Sequence, residues 1–183
     1  MGEIFEVRRH SLRGEGDALS PEGIELARRV APALGGPFRA VYSSPKQRCV
    51  ETLQAFGISE YRTVPEFGLP PAELRSHDRH ADALRSRTGC SLLEAYLAIP
   101  ATHLVLERFG QAFFDRLCRL AAELPSGKNA LAVSHGGSVE AAILAAMPDW
   151  TLKSLGGELK ECEGALFHFD GGIPKDVELR RLS

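Results

Sequence analysis

Two histidines and two arginines are the residues whose types suit group-transfer chemistry. Arg9-His10-Ser11 follows a short apolar run, Arg48 lies just beyond Ser43-Ser44-Pro45, and His135 sits in Ser134-His135-Gly136-Gly137. A neutral imidazole can attack phosphorus and become a covalent phosphohistidine. Arginines offer forked donors matched to phosphate oxygens. They also repel a second positive charge and so keep a nearby imidazole neutral. A second histidine can stabilise charge on the group in transit. Gly136-Gly137, placed before a helix, lets an anion approach free backbone N–H groups. The set suits phosphoryl transfer without a metal.

These residues can act together only if the fold brings their three chain positions to one edge. Ile4, Phe5 and Val7 suggest a first strand, and residues 38–42 a second. Residues 61–64 suggest a third, and 130–133 a short buried fourth. Residues 164–169 and 177–182 flank Gly171-Gly172 and predict a terminal strand pair. Helices come between. Ser20-Pro21-Glu22 combines a cap, a first-turn proline and an acid at the positive end of the dipole. Ile24, Ala27, Ala31 and Leu34 continue it at helical spacing until Gly35-Gly36-Pro37. Ser44-Pro45 predicts a second start, with Cys49, Val50, Leu53 and Phe56 as its buried stripe. Phe109, Phe113, Leu117, Leu120 and Leu124 mark a strong amphipathic helix over 102–124, and 138–147 a short one. The stretch 65–101, rich in Pro, Arg and His, reads as an insert of loops and short helices in a single domain spanning 1–183. Alternating strands and helices predict a three-layer α/β/α sandwich with a mainly parallel sheet. In such sheets ligands bind beyond the carboxyl ends of the strands. Arg9, His10, Arg48 and His135 all fall there.

Composition narrows the class. The 183 residues are 44% apolar and 25% charged, ordinary for a globular chain and unlike disorder. A formal charge of -2 counts against nucleic acid as a partner. No apolar run is long enough to span a bilayer, and the N-terminus lacks the pattern of a signal peptide. Cys49, Cys90, Cys118 and Cys162 form no CxxC pair, and none opens a cysteine-phosphatase loop. Cys49 and Cys118 read as buried structural thiols. A cytoplasmic location is expected.

The three blocks resemble the histidine phosphatase superfamily, with its phosphoglycerate-mutase-like fold. Arg9-His10-Ser11 is similar to its Arg-His-Gly signature. Ser43-Ser44-Pro45-Lys46-Gln47-Arg48 with Glu51-Thr52 resembles the second block, and Val133-Ser134-His135-Gly136-Gly137 the third. Leu19-Ser20-Pro21-Glu22-Gly23 resembles the start of the family's first helix. The resemblance implies that His10 is the nucleophile and that Arg9, Arg48 and His135 complete the phosphate pocket, with Gly136 also meeting substrate. Ser11 replaces the usual glycine and either crowds the loop or supplies a hydroxyl to phosphate. Arg13 and Gly16 stand where many members carry threonine and asparagine, and Arg13 is expected as an added phosphate or substrate contact. Members often carry a glutamate after the third strand, further ahead of a glycine than in Glu66-Phe67-Gly68. Glu66 is the expected proton donor, because it follows a strand at the active edge. Glu73 and Asp78 are alternatives, and some phosphohistidine-specific members work without such an acid.

Other residues read more plainly. Arg8 should point away from Arg9 toward solvent. His77 and His80 share a helical face, but no further ligand cluster accompanies them, so no metal and no cofactor is expected. Arg75, Arg79, Arg85 and Arg87 make the insert locally basic, either as exposed surface or as a lid that attracts an anion. The reading that follows is a metal-independent phosphomonoester hydrolase of the histidine acid phosphatase type. Its substrate is a phosphorylated small molecule or a phosphoprotein, and no oligomeric state is implied. A mutase-like phosphotransferase and a phosphate-binding relative without turnover are the alternatives.

Overall fold

Apolar runs and helical stripes assemble into one sheet with helices on both faces. The computed structural model describes residues 2–182. Strands β1 (Ile4–Arg9), β2 (Phe38–Ser43), β3 (Arg62–Thr63), β4 (Asn129–Ser134), β5 (Gly164–Asp170) and β6 (Ile173–Arg180) lie in the order β3-β2-β4-β1-β5-β6. The first four are mutually parallel, while β5 and β6 run antiparallel to their neighbours. The helices are α1 (Pro21–Val30), α2 (Gln47–Ala55), α3 (Asp78–Thr88), α4 (Leu92–Ala98), α5 (Pro100–Ala122) and α6 (Ser138–Ala146). This is the expected three-layer α/β/α arrangement with a mainly parallel sheet.

Alternation along the inner strands divides the core. Phe5 and Val7 of β1 and Ala130 and Ala132 of β4 join Phe113, Leu117 and Leu120 of α5 on one face. Leu131 and Val133 of β4 join Ala27 and Val30 of α1 and Cys49 and Leu53 of α2 on the other. Arg8 obeys the alternation but not the expected exposure. It points away from Arg9 into a covered layer and is 3% exposed. There its Nε donates to Glu6 Oε1 at 2.6 Å and its Nη1 to the Cys162 carbonyl at 3.1 Å. The layer on that side closes over Arg8, so its charge is met by Glu6 and a carbonyl rather than by water. Cys49 is buried as expected, whereas Cys118 is only partly so.

Element boundaries moved for local reasons. Ser20 caps α1 as predicted, accepting from Gly23 N at 3.0 Å. Ser44 does not cap α2. Its hydroxyl meets His135 Nε2 at 2.7 Å, and the helix begins at Gln47, whose N–H donates to Asp17 Oδ2 at 3.1 Å. Helix α5 starts at Pro100, because proline suits a first turn. β6 begins at Ile173, directly after the Gly171-Gly172 turn, whose φ values of 59° and 78° suit glycine. The insert is built of two 3-10 segments, Pro65–Phe67 and Ala72–His77, followed by α3 and α4. Among the described residues no helix is long and apolar enough to cross a membrane.

Candidate active site

Because β2, β4 and β1 are neighbours, their carboxyl ends deliver the three motifs to one place. Arg9 pairs in register with Ser134, and Ser43 with Val133. The loops beyond are stitched together by His10 N–H to the Ser134 carbonyl at 2.8 Å and Ser44 N–H to the Val133 carbonyl at 2.9 Å. Above them opens a cleft of about 340 Å³ whose floor includes Arg9, His10, Arg48, His135 and Gly136.

The hydrogen bonds fix both imidazole tautomers. His10 Nδ1 lies 2.6 Å from the Ser11 carbonyl, which can only accept, so Nδ1 carries the proton. His10 Nε2 then keeps its lone pair and receives the Arg48 Nε–H at 3.0 Å. Arg48 Nη2 donates to His135 Nδ1 at 3.1 Å, so the His135 proton is on Nε2, which donates to Ser44 Oγ. The two rings meet edge to face with centroids 5.3 Å apart. Burial, and after it the charges of Arg48 and Arg9, lower His10 to about 4 against the pull of the Ser11 carbonyl. Burial, Arg48 and the neighbouring His10 lower His135 to about 3. Both rings are therefore neutral at physiological pH.

Each arginine is braced by a carboxylate from outside the cleft. Arg48 Nη1 pairs with Asp17 Oδ1. Arg9 Nη2 pairs with Glu161 Oε1 at 2.6 Å, and its Nη1 donates to the Leu159 carbonyl at 2.5 Å. Arg9 Nε is buried and has no hydrogen-bond partner. Gly136 is small for a reason. A Cβ there would lie 2.9 Å from Arg9 Cζ and Nε, so the arginine packs directly on the loop backbone. Buried Glu140 organises the layer below, accepting from Gly137 N at 2.7 Å and Leu159 N at 2.8 Å. The Gly137 N–H is thus engaged rather than open to an anion.

Three expected site residues do not come to the cleft floor. The Ser11 hydroxyl donates to the Gly23 carbonyl at 2.6 Å, and Ser11 N–H to Thr52 Oγ1 at 3.0 Å, so this residue ties the loop to α1 and α2. Arg13 is exposed and bridges to Leu19. Glu66 lies in the 3-10 turn after β3, where its nearest cation is Arg116 at 3.9 Å. Asp78 accepts from the Tyr96 hydroxyl, and Glu73 is exposed. The carboxylate that does line the cleft is Glu158, which accepts from Leu93 N at 3.2 Å. His77 and His80 have ring centroids 6.3 Å apart, and among the described residues no group of three or more His, Cys, Asp or Glu is arranged to hold a metal ion. Asp17, Glu158 and Glu161 escaped the sequence reading. They lie in irregular segments, with no periodicity to mark the side that faces the arginines.

Residues 2–69 match the histidine phosphatase superfamily (branch 1). No curated protein matches the chain. Among solved structures, a phosphoserine phosphatase mutant from Entamoeba histolytica in complex with phosphoserine is 20% identical, with TM-score 0.66 over 97% of this chain and 96% of that one. A phosphoglycerate mutase from Bacillus anthracis is 20% identical, with TM-score 0.62 over 99% and 93%. A mycobacterial glucosyl-3-phosphoglycerate phosphatase is 15% identical, with TM-score 0.67 over 100% of both chains. At these identities the likeness establishes the shared fold.

Proposed function

We propose that this chain, recognised as a histidine phosphatase superfamily protein, hydrolyses phosphomonoesters through a phosphohistidine on His10. The observation that carries the reading is the fixed tautomer of His10. Nδ1–H is tied to the Ser11 carbonyl, and the Nε2 lone pair sits at the cleft floor beside Arg48. In this reading a phosphoryl oxygen replaces His10 Nε2 as the acceptor for Arg48, while Arg9 contributes its positive charge from the cleft floor. Nε2 then bonds to phosphorus as the bond to the leaving oxygen breaks. Glu158, the carboxylate lining the cleft, takes the role first expected of Glu66 and gives the leaving oxygen its proton. Water next attacks phosphorus and returns a proton to the Glu158 carboxylate, the N–P bond breaks, and orthophosphate leaves with His10 and Glu158 restored. His135 stays neutral, and its Nδ1 lone pair accepts from Arg48 Nη2, so the ring holds in place the guanidinium that meets the transferring group.

Turnover of a phosphomonoester such as nitrophenyl phosphate tests this. His10→Ala should abolish it while the circular dichroism spectrum stays unchanged. Undiminished hydrolysis by the folded variant contradicts the mechanism.

A further inference from the structure

The cleft above His10 has two chemically distinct halves. Its floor is cationic, with Arg9 and Arg48 flanking the imidazoles. Its opposite wall comes from the insert and is largely apolar, lined by Leu69, Pro71, Leu74, Leu92, Leu93 and Tyr96. Leu74 and Leu93 root this wall in the core at 4% and 7% exposure. Leu69 and Leu92 carry it to the rim at 39% and 40%, so two of the chain's few exposed large hydrophobic side chains border this one cleft. The polar atoms nearby are largely committed. The Tyr96 hydroxyl donates to Asp78, and Glu158 Oε1 holds the Leu93 N–H. A sugar or polyol leaving group would bury hydroxyls against this wall with few partners, and each one left unpaired weakens binding. A hydrocarbon would instead cover Leu69 and Leu92 and release the water on them.

We infer that the substrates are phosphomonoesters of apolar alcohols, with the phosphate on the arginines and an alkyl or aryl body against the insert wall. This deepens the phosphatase reading and rests on it. Arg75 at the rim is a cation that steers an anionic substrate inward.

The test is kcat/KM, or the rate of phosphoenzyme formation, for ethyl, butyl and hexyl phosphate, with glycerol phosphate as the polar comparison. The three alkyl esters leave as alkoxides of nearly equal basicity, so chain length isolates burial. Each fully buried methylene is worth up to about fourfold. A rise of about ten- to a hundredfold from ethyl to hexyl is therefore expected. Leu69→Ser and Leu92→Ser should lower the hexyl rate more than the ethyl rate. Both side chains sit at the rim, so these variants should fold. Rates independent of chain length, or glycerol phosphate outperforming hexyl phosphate, overturn the proposal and leave the His10 chemistry standing. Failure of the folded protein to cleave any ester or to form a phosphoenzyme overturns the phosphatase reading and this inference with it.

Discussion

His10 and His135 share one arginine yet hold opposite tautomers, because each ring answers a different partner. A carbonyl demands the proton on Nδ1 of His10, and Arg48 forbids one on Nδ1 of His135. The nucleophile proposed at His10 is therefore both oriented and neutral without a carboxylate behind it. Burial and two guanidinium groups lower the pKa of His10 to about 4, so its charged form appears only below that pH. An NMR titration of the free protein should accordingly find His10 and His135 still neutral at about pH 5.5, where an ordinary imidazole is mostly protonated. Midpoints near the ordinary value would show that the rings are solvated. The proton donor is tested at the same scale. Glu158→Gln should slow hydrolysis of alkyl phosphates by about 10²–10⁴-fold and of nitrophenyl phosphate much less, since a nitrophenolate leaves unaided. Glu66→Gln, which alters a residue turned toward Arg116, should change either rate less than about twofold. The reverse pattern would return the role to Glu66. Arg9, His10, Arg48 and His135 were legible in the sequence because each ends a strand or follows one closely. Glu66 follows one too, but the 3-10 turn of Pro65–Phe67 buries Phe67 and turns the glutamate aside. Local sequence does not reveal that rotation.

At the scale of elements, the site depends on loops held to the sheet and on helices that fit closely behind them. Helix α6 follows the His135 loop directly, and α5 packs across it where Gly110 meets Ala141. A Cβ on Gly110 would lie 2.3 Å from the Ala141 carbonyl oxygen, a backbone atom that cannot turn away. Gly110→Ala should therefore force the helices apart and cost about 1–3 kcal/mol, despite alanine's better helix propensity. Chemical denaturation measures this, and an unchanged or raised midpoint would mean the contact is looser than described. Periodicity made α1, α5 and the strands readable, since each repeats a local pattern. Ser44 was misread as a cap because its competing partner, His135, is remote in sequence. The braces on Arg9 were invisible for the same reason. Leu159 and Glu161 come from an irregular segment after α6 and reach β1 only through the sheet order.

For the whole molecule, one insert supplies little of the chemistry but shapes the cleft. The sheet and its loops provide the cationic floor, and residues 65–101 provide the wall that faces it. That stretch was legible as short helices and loops. Its apolar face was not, because Leu69 is remote in sequence from Leu92 and Tyr96 of α4 and borders the same cleft only once α3 and α4 fold over the sheet. The central claim concerns the floor, that phosphate passes through nitrogen on His10. Rapid acid-free quenching of the protein mixed with a phosphorus-labelled ester, followed by peptide mapping, tests it most directly. The expected result is a transient label that is stable in base, lost in acid, carried on the peptide containing His10 and missing from His10→Ala. Turnover with no covalent label at any time, or an acid-stable label on another peptide, would contradict it.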